Sequence, residues 1–211
     1  MNARAERAQL LLDRLAQEHP DAHIALDYGT PLELLVATIL SAQCTDARVN
    51  QVTPELFALC RTAADYVALS QERLEQLIRP TGFFRNKARA IRAACASILD
   101  DFGGEVPETL DELVRLHGVG RKTAAVVSSN AFGRRDGIAV DTHVGRVSRR
   151  LALTRHGDPV KVERALMRLY PRERWLEVSD VLIFHGRRVC EARRPRCGEC
   201  AVAEMCPSAR V

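Results

Sequence analysis

The chain has 211 residues, 46% of them hydrophobic and 27% charged, enough to bury a core as one large domain or two small lobes. A formal net charge of +4 is only mildly basic, so a nucleic-acid reading has to rest on where the arginines cluster, not on their number. The first twenty residues alternate charged and apolar types without the apolar stretch of a signal peptide, and no apolar run approaches the roughly 20 residues that span a bilayer, so the expectation is a cytoplasmic protein with no membrane partner.

Taken in chain order, the apolar residues recur at spacings of three and four, and the punctuation between them is helix-capping chemistry. Thr30-Pro31-Leu32-Glu33 carries the cap, the N1 proline and the N3 glutamate of a capping box ahead of an apolar run to Leu40. Phe84, Ala88, Ile91, Cys95, Ile98 and Phe102 form a helical stripe, with Arg85, Lys87, Arg89 and Arg92 on the opposite face and Gly103-Gly104 as the stop. Thr109 to Glu112 repeats the capping box, and Asp158-Pro159 opens a helix whose core face includes Val162, Ala165, Leu166 and Leu169. Ile138 to Val140 is too short to found a sheet, so the fold class is all-α, in two helical lobes. The segment Gly133–Gly137 is the best internal boundary, and the cysteine-rich tail is compositionally distinct.

Between Leu116 and Val126 the glycines Gly118 and Gly120 break one helix just before another starts, which reads as a helix-hairpin-helix. Glycines there are expected to turn the backbone with φ > 0 and to let N–H groups approach a phosphate at a helix N-terminus. Such a hairpin grips DNA without reading bases, whereas glycine spacing alone also fits an ordinary turn between core helices. Lys122 lies on the first turn after the hairpin, placed to attack C1′ of a held sugar. An amine does so only when neutral, so desolvation or neighbouring cations must lower its pKa. Asp141 follows a short apolar segment and precedes a helix; it fits both an N-cap and a carboxylate that handles the lysine's proton.

Four of the seven cysteines, Cys190, Cys197, Cys200 and Cys206, have the spacing C-x6-C-x2-C-x5-C. In a chain without a secretory signal they point to a metal centre and not to disulfides, and four thiolates suit either tetrahedral zinc or a [4Fe–4S] cube. Arg193, Arg194 and Arg196 lie between the first two, on a loop whose ends a metal would fix, which suits phosphate contact.

Leu116-His-Gly-Val-Gly-Arg-Lys-Thr-Ala124, Val140-Asp-Thr-His143, Leu40-Ser-Ala-Gln-Cys-Thr-Asp46, His185-Gly-Arg187 and the clustered cysteines together resemble the endonuclease III family of helix-hairpin-helix DNA glycosylases, over nearly the whole chain. The resemblance implies that Lys122 forms a Schiff base with C1′, that Asp141 assists it, and that β-elimination nicks the strand 3′ to the lesion. It implies double-stranded DNA with an oxidised pyrimidine or an abasic site as substrate, a flipped target nucleotide, and a [4Fe–4S] cluster on the four cysteines. The hairpin residues His117, Gly118, Val119, Gly120 and Arg121 would hold DNA, Gln43 would enter the vacated space, and Phe83 stands where the family usually has a leucine wedge. Cys44 replaces a small apolar residue and Gly145 a bulkier one, which bears on the shape of the lesion pocket. A six-helix lobe is implied over 24–134 and a cluster-bearing lobe over 1–23 with 135–211; a monomer associated with a prokaryotic nucleoid is the simplest organisation.

Two other functions remain in view. An adenine-mismatch glycosylase of the same superfamily lacks the nucleophilic lysine and uses a glutamate near the first motif, whereas Ser41-Ala-Gln-Cys-Thr45 holds no glutamate and Lys122 is present. A zinc-bearing DNA-binding module leaves the pairing of Lys122 with Asp141 unexplained.

Overall fold

Side-chain caps set where most of the helices begin. The computed structural model describes residues 3–210, and no strand occurs among them, as the all-α reading expects. The α-helices are α1 (Ala3–Glu18), α2 (Pro31–Leu40), α3 (Asp46–Leu59), α4 (Ala63–Ala68), α5 (Gln71–Ile78), α6 (Phe84–Phe102), α7 (Leu110–Leu113), α8 (Arg121–Ala131), α9 (Thr142–Arg150), α10 (Pro159–Met167) and α11 (Trp175–Arg188). At α2 the Thr30 hydroxyl accepts from the Glu33 N–H and the Glu33 carboxylate accepts from the Thr30 N–H, both at 3.2 Å. Thr109 and Glu112 make the same reciprocal box at α7, and Asp158 caps α10 by accepting from the Lys161 N–H at 2.9 Å. At the far end of α6, Gly103 turns left-handed at φ +61 and the Gly104 N–H reaches back to the Ile98 carbonyl at 3.0 Å.

These elements form two compact units, one of residues 25–136 carrying α2 to α8, the other of residues 3–24 with 137–210 carrying α1, α9 to α11 and the cysteine tail. In the first, α2 is buried along most of its length and lies against α8, while α6 packs on α4 and α5 and buries Ala88, Ile91, Cys95 and Ile98. Each fully buried branched side chain contributes about 1.5–3 kcal/mol.

Lys87 of α6 departs from the sequence reading. Expected on the solvent face with Arg85, Arg89 and Arg92, it is 5% exposed, and its ammonium donates to the carbonyls of Leu40 at 2.8 Å and Thr81 at 2.7 Å. Leu40 ends α2 and Thr81 ends the 3-10 turn Arg79–Thr81, so both carbonyls lie where a helix no longer supplies a donor, and the lysine stem reaches them.

In the second unit α1 buries Ala8, Leu11, Leu12 and Leu15 in a core shared with Val144 and Val147 of α9, Val162 and Leu166 of α10, and Val178, Val181 and Leu182 of α11. Arg7 ties three segments of this unit together: one guanidinium nitrogen donates to the Leu151 carbonyl at 3.0 Å and the other to the Met205 carbonyl at 2.6 Å, next to the last clustered cysteine.

Candidate active site

The hairpin lies between α7 and α8. Gly118 has φ +78, and a Cβ there would stand 3.0 Å from the Ala90 Cβ of α6, so both backbone and space call for glycine. Gly120 corrects the expectation of a second positive φ: at φ −82 and ψ 164 it is the extended N-cap of α8, because the reversal is complete at Gly118 and Gly120 only feeds the helix. A Cβ on Gly120 would meet nothing, so what glycine provides there is clear access to the backbone. No side chain caps α8, and its positive end opens beside an exposed His117 and the exposed Arg121 and Lys122, while Val119 is buried and anchors the tip.

Gln43, Phe83 and Gly118 line a common groove of about 340 Å³, together with Thr38, Asn86, Lys87 and Thr123, the residue after Lys122. Gln43 at φ 52 and Phe83 at φ 48 are both left-handed without being glycine, and Phe83 is 62% exposed. Phe83 is therefore not a core aromatic: its ring projects from the turn that starts α6.

In the other unit Asp141 is the N-cap of α9, with Oδ1 accepting from the Val144 N–H at 2.8 Å. Gly145 is buried one turn along the same helix, and Cys44 is half-buried in the 25–136 unit.

Cys190, Cys197, Cys200 and Cys206 are free, half-buried thiols lining one cavity with Arg150, His185 and Val189. Burial raises the Cys200 and Cys206 thiols above their ordinary pKa. Arg150 organises the start of the intervening loop, donating to the Cys190 sulfur at 3.2 Å and to the carbonyls of Glu191 at 2.7 Å and Ala192 at 2.8 Å. The loop then presents Arg193 and Arg194 to solvent. Arg196 is also exposed but is engaged, pairing with Glu199 at 3.1 Å and donating to the Arg188 carbonyl.

Sequence reasoning missed a buried polar group at the edge of this cavity. His19 Nε2 and His185 Nδ1 lie 3.2 Å apart with Glu18 Oε2 3.7 and 3.5 Å from them, and His185 Nε2 stands 3.7 Å from the Cys200 sulfur. Burial lowers the pKa of both histidines, that of His185 to about 4. No local pattern announces the pair, since the partners are 166 residues apart in sequence.

Residues 36–172 match the family model of HhH-GPD superfamily base excision DNA repair proteins. Endonuclease III of Synechocystis sp. (strain ATCC 27184 / PCC 6803 / Kazusa) is 51% identical over 210 residues, covering 100% of this chain and 96% of the relative. Endonuclease III of Bacillus subtilis (strain 168) is 48% identical over 202 residues, covering 95% and 92%. Among solved structures, a trapped endonuclease III–DNA covalent intermediate, the estranged-adenine complex, superposes with a TM-score of 0.93 at 48% identity, covering 99% of this chain and 98% of that one. A thermostable thymine-DNA glycosylase shares the fold at 20% identity with a TM-score of 0.85. Matched along its full length in both sequence and fold, the chain belongs to the HhH-GPD superfamily of base excision DNA repair proteins and, within it, to the endonuclease III family of DNA glycosylases.

Proposed function

We propose that the chain is a bifunctional DNA glycosylase and abasic-site lyase that removes oxidised pyrimidines from double-stranded DNA through a lysine Schiff base. The observation that carries this reading is the place of Lys122, exposed on the first turn of an uncapped helix directly after a glycine hairpin open to a phosphate. A phosphate held on that helix end brings the adjoining sugar within reach of the lysine, turning a bimolecular attack into a positioned one. Nitrogen bonds to C1′ as the glycosidic bond breaks, and its electron pair leaves with the base, which takes up a proton. Opening of the sugar ring gives an iminium at C1′. Loss of a C2′ proton then expels the 3′ phosphate and nicks the strand. Asp141 is assigned to take the amine's proton and to offset positive charge developing on the sugar. That a relative at 48% identity has been solved as a trapped covalent intermediate with DNA supports a covalent route here.

The target nucleotide has to leave the base stack. Gln43 and Phe83, projecting from two turns of one groove, are assigned to fill the gap, an aromatic wedge being suited to insertion between bases. The hairpin from His117 to Arg121 and the loop carrying Arg193, Arg194 and Arg196 are assigned to the phosphates.

The four cysteines are assigned to a [4Fe–4S] cluster. Four half-buried thiols lining one cavity offer the all-thiolate donor set that such a cube takes, and the resemblance of their spacing to the endonuclease III cysteines favours it over a single zinc. When bound, the cluster supplies a fixed anchor; the protein's part is the Arg150 bonding that shapes the loop between Cys190 and Cys197. The protein is read as a cytoplasmic, nucleoid-associated monomer.

Borohydride trapping on a duplex with one thymine glycol, with Lys122→Gln alongside, tests the catalytic reading. A lysine-dependent protein–DNA band on a denaturing gel is expected. Trapping only on an abasic-site duplex would leave the lyase chemistry and remove the base assignment, and no band on either would remove Lys122 as the nucleophile.

A further inference from the structure

We propose that Lys87 is a positioning residue whose buried ammonium ties the Gln43 turn to the Phe83 turn and so fixes the two inserting side chains relative to each other. The proposal rests on the reading of Gln43 and Phe83 as residues that enter the duplex. Lys87 Nζ donates to the Leu40 carbonyl at 2.8 Å, three residues before Gln43, and to the Thr81 carbonyl at 2.7 Å, two residues before Phe83. It therefore bonds the approach to each turn from a single atom.

Neither turn is held by local preference. Gln43 and Phe83 adopt left-handed backbone at φ 52 and 48, which costs a residue with a side chain about 1–2 kcal/mol. A conformation of that kind persists only where surrounding contacts over-determine it. Burial of an ammonium is itself unfavourable and pulls the Lys87 pKa below its ordinary value. A methionine would pack the same stem without that cost, so the lysine is explained by what its head group does. A charged donor makes stronger and more directional bonds to two carbonyls than a neutral one.

The same helix face extends the tie to the hairpin. Ala90 lies one turn beyond Lys87 on α6 and is the residue that a Cβ on Gly118 would crowd at 3.0 Å. Lys87 itself lines the groove with Gln43, Phe83 and Gly118. One turn of α6 thus registers three loops against one another: two through the ammonium and one through close packing.

The test uses the full-length protein and reads two quantities: single-turnover base removal, and the fluorescence of 2-aminopurine placed opposite a stable abasic analogue. The double variant Gln43→Ala/Phe83→Ala is the reference. If it leaves both quantities at the parent values, the insertion reading itself fails, whatever Lys87 does. If it responds, Lys87→Met is expected to slow base removal about 10- to 100-fold and to shrink the fluorescence change, with binding to undamaged duplex held within about twofold. Added to the reference variant, Lys87→Met should then cost less than about twofold more, because side chains that are gone cannot be misplaced. Parent-like rate and fluorescence in Lys87→Met, or a full additional loss on the reference background, would overturn the proposal. Should Lys87→Met fail to fold by thermal melting, Lys87→Gln, whose amide keeps a donor for one carbonyl, carries the same comparison with the same two outcomes.

Discussion

A Cβ placed on Gly186 would stand 2.8 Å from the Cβ of His143, so α11 and α9 meet through the side chain that Gly186 lacks. The same Cβ would also crowd His143 Nδ1 and Val147 Cγ2, each at 3.2 Å. The atom that would be struck is a Cβ, fixed to its helix, and not the tip of a flexible chain. Gly186→Ala should therefore lower stability by about 1–3 kcal/mol through forced helix separation, read as a drop in Tm, while Gly198→Ala, where a Cβ meets nothing, should leave Tm nearly unchanged.

Asp141 caps α9, and substitution can separate that cap from the catalytic role proposed for its carboxylate. Asparagine caps a helix about as well as aspartate, so Asp141→Asn should keep stability within about 0.5 kcal/mol, whereas Asp141→Ala should lose about 1 kcal/mol. Both should slow single-turnover base removal by about 10²- to 10⁴-fold if the carboxylate moves a proton. A parental rate in the asparagine variant would leave Asp141 as a cap and nothing more.

The three arginines of the cysteine loop should not behave alike. Arg193→Ala with Arg194→Ala is expected to weaken duplex binding and to flatten its dependence on log salt by about 0.9 per lost phosphate contact, measured by titrating a labelled duplex at several salt concentrations. Arg196→Ala should move the slope less, because its guanidinium is already held by Glu199 and the Arg188 carbonyl. Equal slopes in all three would show that Arg196 gives up those bonds and contributes as full a phosphate contact as its neighbours.

Asp21 accepts both terminal N–H groups of Arg188 at 2.8 and 2.7 Å, and that bidentate bond holds its pKa down to about 2. A carboxylate with a depressed folded pKa contributes stability above its unfolded value, about 4, and loses it as pH falls toward 2. Arg188→Ala should return Asp21 to the ordinary carboxylate range in an NMR titration. A pKa still near 2 in that variant would assign the depression to the Asp21 backbone contact instead.

Capping boxes were legible in the sequence because their partners are three residues apart: Thr30 with Glu33 and Thr109 with Glu112 both formed as read. The stripe from Phe84 to Phe102 was legible for the same reason, down to its glycine stop. Lys87 was not, because its acceptors come from the ends of two other segments, 47 and 6 residues away, and a lysine among arginines reads as solvent-facing. Gly118 and Gly120 look equivalent in a string of letters, yet only the residue where the chain reverses takes positive φ. The left-handed backbone of Gln43 and Phe83 carried no signal at all, since neither is a residue type that favours it.

Those two residues set a trap for anyone seeking a hardier version of this protein. Asparagine or glycine at 43 or 83 would relax the backbone, and at position 83 would also remove an exposed phenyl ring from water, so a screen scored on heat resistance or solubility should favour such changes early. On the proposed reading that these two side chains enter the duplex, the survivors would melt higher and repair less, and selection for robustness alone would erode the working edge of the molecule first.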